Sequence, residues 1–418
     1  MRETKKRTRP VIESGASLNK KQLIRYIVIL ALAISLIPFT IDPYLPAFPE
    51  VADFFGVPNG VVQSSLAGVT FGLAVGQLVA GPLSDALGRR VPLILALAGF
   101  GFSAIAVFFA PSFEVLLALR FAMAFFAASA DVIARAVVRD LYKGEPMQKM
   151  LSQIYLIQAL APIAGPILGA QLLGFLPWQG VFVVFGLIGL VIALAAQISL
   201  IETLPEGQRR SISPIGIARG YLSVLRDRPY IGLMVFGAAQ IAGLFGYLNT
   251  VSFLYQDGFG LNQSDFGFWF AFNAVASYLG VQLGTYLAKF FQGQWMLLVY
   301  GLIGVFAGAL MMITAPLESL VIAEALFVLQ FLAFGAGLTT IPTFALLNHG
   351  SEAGTASSLL GVMNFATTAA LAGIYASLGT NNTFDVGVLI AGLNTIAVLS
   401  LLFVVRPWTI PDLRATKN

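Results

Sequence analysis

Twelve long apolar runs constrain this chain more than any single residue does. They cover about residues 23–49, 61–83, 91–110, 113–136, 148–174 and 179–200, then 230–255, 264–289, 294–314, 318–347, 354–379 and 384–405. About 20 consecutive apolar residues span a bilayer as a helix, so each run reads as a transmembrane helix. Charged residues make up 11% of the chain, against about 25% in soluble domains, so most of the surface is solvated by lipid. The fold class that follows is an all-α integral membrane protein of two six-helix bundles.

The positions of the basic residues set the orientation. Of the 24 lysines and arginines, eight reach no further than Arg25, and two, Arg89 and Arg90, lie between runs two and three. Arg135, Arg139, Lys143 and Lys149 surround the gap between runs four and five, and five arginines lie between Glu202 and Pro229. Lys289 follows run eight; Arg406, Arg414 and Lys417 follow run twelve. The alternate gaps hold none, which predicts both termini in the cytoplasm. The opposite loops carry acids instead: Glu50, Asp53, Asp257, Asp265, Glu318 and Asp385. The expected organisation is a basic tail (1–21), a six-helix bundle (22–201), a cytoplasmic linker (202–229), a second bundle (230–405) and a short tail (406–418). Six helices, a connector and six more suggest a tandem repeat. The apolar run that starts the chain is too long for a cleavable signal and has no small-residue cleavage site.

An ionisable group at membrane depth is costly unless it is paired or faces water. Asp42 lies 17 residues beyond Arg25, roughly 25 Å along a helix. Pro43 and Pro46 beside it remove backbone donors and permit a bend. It is either a carboxylate at a frayed helix end or a titratable group in a cavity that binds a proton or a cation. Arg120 follows Phe113 by seven residues, roughly 10 Å into run four. It either snorkels outward or lines a cavity, with Asp42 as one candidate partner. Asp131 and Arg135, four apart, share a helix face and read as a local salt bridge. Glu324 is either buried in run ten or near its interface.

Between runs two and three stands a polar hinge, Gly81 to Leu93, with Asp85, Gly88, Arg89 and Arg90. Run five carries Pro162, Gly165, Pro166 and Gly169; with Ala161 the glycines form a small-residue face for close helix approach, and the prolines permit bending. In the second half Tyr247, Asn249, Asn273, Asn364 and several glutamines stand among phenylalanines. Such a surface suits an apolar ligand held by few polar contacts, and helix-to-helix hydrogen bonding is the competing use. Gly284 to Lys289 occupies the place of the hinge in the second half, without its aspartate or double arginine.

Zero cysteines and one histidine exclude thiolate chemistry, disulfides and a histidine metal cluster. No phosphate-binding Gly-x-x-x-x-Gly-Lys-Ser/Thr loop occurs. No cofactor, metal or nucleic acid is expected, and either energy comes from a gradient or the process is passive.

The hinge resembles the Gly-x-Leu-x-Asp-x-x-Gly-Arg-Arg/Lys signature of the major facilitator superfamily, matching at Gly81, Leu83, Asp85, Gly88, Arg89 and Arg90. Gly165, Pro166 and Gly169 resemble the Gly-Pro-x-x-Gly motif of that superfamily's antiporters. Leu119-Arg120-Phe121 resembles its helix-4 arginine motif, with Met123-Ala124 where Gln-Gly is usual. Asp42-Pro43-Tyr44-Leu45-Pro46-Ala47, Val138-Arg139-Asp140-Leu141-Tyr142 and Ala353-Gly354-Thr355-Ala356-Ser357-Ser358 are similar to the bicyclomycin/chloramphenicol-type drug:proton antiporters. Pro43 departs from the common Asp-Met/Ile-Tyr-Leu-Pro form.

The resemblance implies twelve helices in a bacterial cytoplasmic membrane, alternating access, and export of lipophilic or cationic drugs in exchange for protons, with a monomer sufficient. It assigns proton and substrate coupling to Asp42, proton transfer to Arg120, and gating to Gly81, Asp85, Gly88, Arg89 and Arg90. Tyr44, Tyr247, Asn249, Asn273, Glu324 and Asn364 are the candidate substrate contacts. Relatives often carry a second acid deeper in helix 1; Ala31 to Phe39 has none. Asp85 is expected to latch onto the start of run eleven, around Ser351 to Thr355, near a helix N-terminus. The alternatives are a proton-driven exporter of a small metabolite on the same fold, and a membrane enzyme or sensor, which no catalytic pair supports.

Overall fold

The computed structural model describes residues 15, 18–143, 145–158, 160–209, 221–338, 340–345, 353–377 and 382–409. Among them, twelve helices are long and apolar enough to cross a membrane. They are α1 (Lys20–Phe55), α2 (Asn59–Leu87), α3 (Arg90–Phe109), α4 (Phe113–Leu141), α5 (Lys149–Leu173) and α6 (Trp178–Ser199) in the first half. The second half holds α7 (Arg228–Gly258), α8 (Gln263–Leu287), α9 (Gly293–Leu317), α10 (Leu320–Ala345), α11 (Thr355–Tyr375) and α12 (Thr383–Thr409). Twelve crossings leave Lys20 and Thr409 on one side, the near face; the opposite side is the far face.

Local chemistry fixes where the helices begin and break. Asn19 and Gln22 form a capping box, with bonds of 2.9 and 3.0 Å, that opens α1. At Asp42–Ala47 the helix tightens to a 3-10 segment and resumes as an α-helix at Phe48–Phe55. Pro43 and Pro46 lack the N–H groups that a continuous α-helix would use there. Expected to end near residue 49, α1 therefore continues around its break. Its counterpart α7 ends in a π turn, Leu254–Gly258.

The two halves repeat one packing plan. In the first, α2 packs on α4 and α3 on α6; in the second, α8 packs on α10 and α9 on α12. Glycine sets these approaches in matching places. A Cβ at Gly76 would stand 2.5 Å from the Phe125 carbonyl oxygen, and one at Gly284 would stand 2.6 Å from that of Ala336. Gly101 meets the Gly186 carbonyl, and Gly308 that of Gly387, each with 2.8 Å available. Backbone approach of this kind replaces the hydrophobic driving force that is missing between helices in lipid. Phe102, Val191, Ile198, Phe268, Phe306, Val321 and Phe403 stay exposed on the outside of the bundle, as lipid contact requires.

The halves meet along α2 with α11, along α5 with α8, and where the far ends of α1 and α7 touch. Hydrogen bonds join them at the far face. Ser252 Oγ donates to the Leu45 carbonyl at 2.6 Å, Gln256 Nε2 to that of Pro46 at 3.3 Å, and Asn59 Nδ2 to Asp257 at 3.2 Å.

The polar hinge proves to be mostly helix. α2 runs through Gly81, Pro82 and Asp85 to Leu87, and the turn is confined to Gly88 and Arg89. Gly88 has φ +91°, where only glycine is comfortable.

Candidate functional site

The break in α1 places Asp42 against α5. The Asp42 side chain is buried at 6% exposure. A Cβ on Gly165 would lie 2.9 Å from Asp42 Cβ, and one on Gly169 would collide with the Pro43 carbonyl. The small-residue face of α5 is therefore the seat of the broken segment, and Pro162 and Pro166 shape the helix that offers it. No hydrogen bond or ion pair reaches the Asp42 carboxylate among the described residues.

Arg120 is fully buried in α4. One of its amino groups donates to the Thr40 carbonyl, which the α1 break frees, and its guanidinium carbon stands 4.4 Å from the Tyr44 ring centroid and 5.3 Å from that of Phe182. Stacking on aromatic faces suits a guanidinium in a dry site. The pairing with Asp42 considered from the sequence does not form: the carbonyl and the rings hold the cation instead. Arg120 Nε and Nη2 remain without hydrogen-bond partners, as do both ends of the buried Gln63 amide.

Across the α5–α8 seam lies a second polar cluster. Glu324 of α10 is buried. The Tyr255 hydroxyl bonds one of its oxygens, and Asn273 Nδ2 donates to the other at 3.1 Å. Asn273 also reaches the hydroxyls of Tyr255 at 3.1 Å and Tyr247 at 3.3 Å. Of the candidate contacts read from the sequence, Tyr247, Asn273 and Glu324 thus come together. Tyr255 joins them; its signal was its place just before the acid-bearing turn at Asp257. Asn249 does not join them, because its amide donates to its own helix at the Phe245 carbonyl, 2.7 Å away. Asn364 lies apart on α11, its carbonyl oxygen buried without a partner.

The hinge residues form a separate cluster at the near face. Asp85 pairs with Arg89 at 2.5 Å, and Arg89 Nε reaches Asp140 at the end of α4 at 2.9 Å. Burial disfavours the Arg89 charge, but Asp140 and Asp85 outweigh it and hold the pKa above its ordinary value. Glu202, at the start of the expected cytoplasmic linker, is buried and accepts the backbone N–H groups of Arg89 (2.7 Å), Arg90 (3.2 Å), Thr203 and Leu204 (3.1 Å each). Arg90 donates to the carbonyls of Leu200 and Gln197. The hinge is thereby tied to the ends of α4 and α6 within its own half. Asp85 engages Arg89 here rather than α11; Ser351 and Glu352, in the expected latch partner, lie outside the described residues. Asp131 and Arg135 form the anticipated salt bridge at 2.8 Å, and Arg135 also donates to the Tyr155 hydroxyl of α5.

Comparison with known proteins gives a consistent picture. The profile described as Major Facilitator Superfamily matches residues 28–377. An uncharacterized MFS-type transporter, YdgK of Bacillus subtilis, is 34% identical over 333 residues, 78% of this chain and 82% of that one. A bicyclomycin resistance protein homolog of Haemophilus influenzae is 29% identical over 360 residues, 86% of this chain and 90% of the relative. The multidrug resistance protein MdtL of Shewanella oneidensis is 26% identical over 340 residues, covering 79% and 83%. Among solved structures, the xylose transporter XylE from E. coli in a partially occluded inward-open conformation superposes with a TM-score of 0.73 at 11% identity, covering 94% of this chain and 99% of that one. A bacterial homolog of the human lysosomal transporter Spinster superposes at 0.71 and 18% identity, covering 93% and 96%.

Proposed function

The chain belongs to the Major Facilitator Superfamily, and from that premise we propose that it is a proton-coupled antiporter that exports lipophilic or cationic drugs by alternating access. It is a multi-pass membrane transporter. The basic residues assign its near face to the cytoplasm. The names of its relatives, resistance to bicyclomycin and to multiple drugs, support drugs as the cargo.

One observation carries the reading: Asp42 is buried at a helix break with no cation beside it, although a buried arginine stands on the next helix. An ionised carboxylate in that place is costly, and either a proton or a cationic drug relieves the cost. The two compete for one charge, and that competition is sufficient for exchange. Arg120 does not quench the site because Thr40 and Tyr44 hold it. Its Nε and Nη2 groups are buried without partners and are left as donors for a polar atom of the drug.

In the cycle, the near-open cavity accepts drug on ionised Asp42. The halves then rock about the α2–α11 and α5–α8 seams, the far face opens, and a proton displaces the drug. Asp42→Asn in proteoliposomes is expected to abolish uphill drug efflux and drug-induced proton movement together. Uphill export by that variant with normal proton dependence would overturn the assignment. A wild-type protein that moves metabolites and no drug would overturn the cargo class.

A further inference from the structure

Glu324 has no cation to neutralise it. No lysine or arginine occurs between Arg228 and Lys289, or between Lys289 and Arg406. Arg120, the arginine inside a membrane span of the other half, is engaged by Thr40 and Tyr44. The groups that face Glu324 are neutral: Tyr247 and Tyr255 from α7 and Asn273 from α8. Between Asp265 and Tyr278, α8 carries no titratable residue, and α9 carries none between Tyr300 and Glu318.

Aromatic rings wall the cluster from lipid and water. Tyr247 packs on Phe327 and Phe331 with centroids 5.0 and 4.8 Å apart, and Tyr255 packs on Phe266 at 5.9 Å. In this dry box two neutral donors do not replace a counter-charge. A proton removes the charge and leaves oxygens that still accept hydrogen bonds. The Asn273 carbonyl oxygen is itself buried without a partner, so the box also holds a spare acceptor.

The box is wired to the far-face seam. Tyr255 sits in the π turn at Leu254–Gly258. Ser252 and Gln256, on either side of it, clasp the Leu45 and Pro46 carbonyls within the α1 break. When the halves part at that face, the clasp of this turn on α1 is released, and the turn is free to lift Tyr255 from Glu324.

We infer that Glu324 is a second proton-carrying site, loaded from the far side as the seam opens and emptied toward the near side. Each cycle then carries two protons, one on Asp42 and one on Glu324. The inference rests on the proposed drug export with Asp42 as the first coupling group. Each loading step is a carboxylate taking a proton to become a carboxylic acid, with no other bond made or broken. For a singly charged drug, two protons in and one cation out move one net positive charge inward, so exchange responds to membrane potential as well as to the pH gradient.

The test uses the full-length purified protein in two arms. Without drug, an infrared difference spectrum between acid and alkaline pH is expected to show carboxylic-acid stretches from two buried groups. One is lost in Glu324→Gln and the other in Asp42→Asn. A spectrum that Glu324→Gln leaves unaltered overturns the inference whether or not any drug is transported. In proteoliposomes with a monovalent cationic drug, the proton-to-drug ratio is expected to be two for the wild type and one for Glu324→Gln, and the variant should lose its response to an imposed potential. A ratio of one in the wild type, or a variant that keeps the potential response, also overturns it. Should Glu324→Gln fold poorly, Tyr255→Phe keeps the carboxyl group and is expected to shift the pH at which its band appears; an unshifted band counts against the wiring. If no drug moves in the wild type, the export reading fails while the infrared arm still decides Glu324.

Discussion

Arg120 donates to the carbonyl of Thr40, not to the carboxylate of Asp42 two residues further along the same helix. The difference divides the labour at the α1 break. The arginine pins the backbone of the broken segment and lies on Tyr44, and the aspartate is left uncompensated beside α5. A salt bridge between them would have stabilised both charges and removed the reason for a proton or a drug to bind.

The pinning makes Arg120 and Tyr44 an energetic pair. Arg120→Lys keeps the charge but loses the planar stack, and Tyr44→Leu loses the ring. A cation–π contact in a desolvated site is worth about 1–2 kcal/mol, so the double variant should be less destabilised than the sum of the singles by about that amount. Thermal melts of the four proteins in one detergent measure the coupling, and additive losses would show that the stack carries no energy.

The seat on α5 predicts a graded glycine series. Gly169→Ala drives a methyl group into the Pro43 carbonyl, and Gly165→Ala meets Asp42 Cβ with 2.9 Å available, whereas a Cβ at Gly373 meets nothing within 4 Å. Drug efflux is expected to fall by about tenfold or more in the first, less in the second, and negligibly in Gly373→Ala. Equal activity in all three would mean that the α1 break does not depend on α5 for its position.

At the near face, Glu202 bonds four backbone N–H groups of the α2–α3 turn and its own segment. Hydrogen bonds to a charged group contribute about 1.5–3 kcal/mol each when buried, and Glu202→Ala strips all four. Its melting temperature is expected to drop by several degrees, a change that Glu206→Ala, in an exposed turn, does not produce. An unaltered melt would show that the turn holds without this carboxylate.

The fold was legible in the sequence because apolar length and the placement of lysines and arginines are direct consequences of lipid solvation. The importance of Asp42 and Arg120 was legible for the same reason, since a charge in a membrane run is conspicuous. Their relationship was not: it depends on a backbone carbonyl at the α1 break, and carbonyls leave no trace in side-chain spacing. The role of Glu202 was not legible because it opens a polar stretch after α6, and only the turn at Gly88 brings the N–H groups of Arg89 and Arg90 to it. Tyr255 was missed because a tyrosine near a membrane boundary ordinarily reads as an interfacial anchor, and the π turn that rotates it inward is a backbone event. The hinge motif suggested a loop where α2 continues as helix to Leu87.

The far-face seam offers the sharpest test of the gate, and the chain is suited to it because it contains no cysteine. Asn59 on α2 and Asp257 at the end of α7 belong to opposite halves and approach to 3.2 Å. In the variant Asn59→Cys with Asp257→Cys, the two thiols meet only while the far face is closed. Oxidation is expected to join them whenever motion in the closed state brings their Cα atoms within the about 7 Å that a disulfide spans. If rocking about the α2–α11 and α5–α8 seams opens this face in every cycle, the disulfide should stop drug efflux and a reductant should restore it. Ser252→Ala with Gln256→Ala, which removes the donors to the Leu45 and Pro46 carbonyls, is expected to slow disulfide formation by holding the face open for longer. Full efflux by the cross-linked protein would mean that this contact stays closed throughout transport, and the gate would then lie elsewhere along α1 and α7.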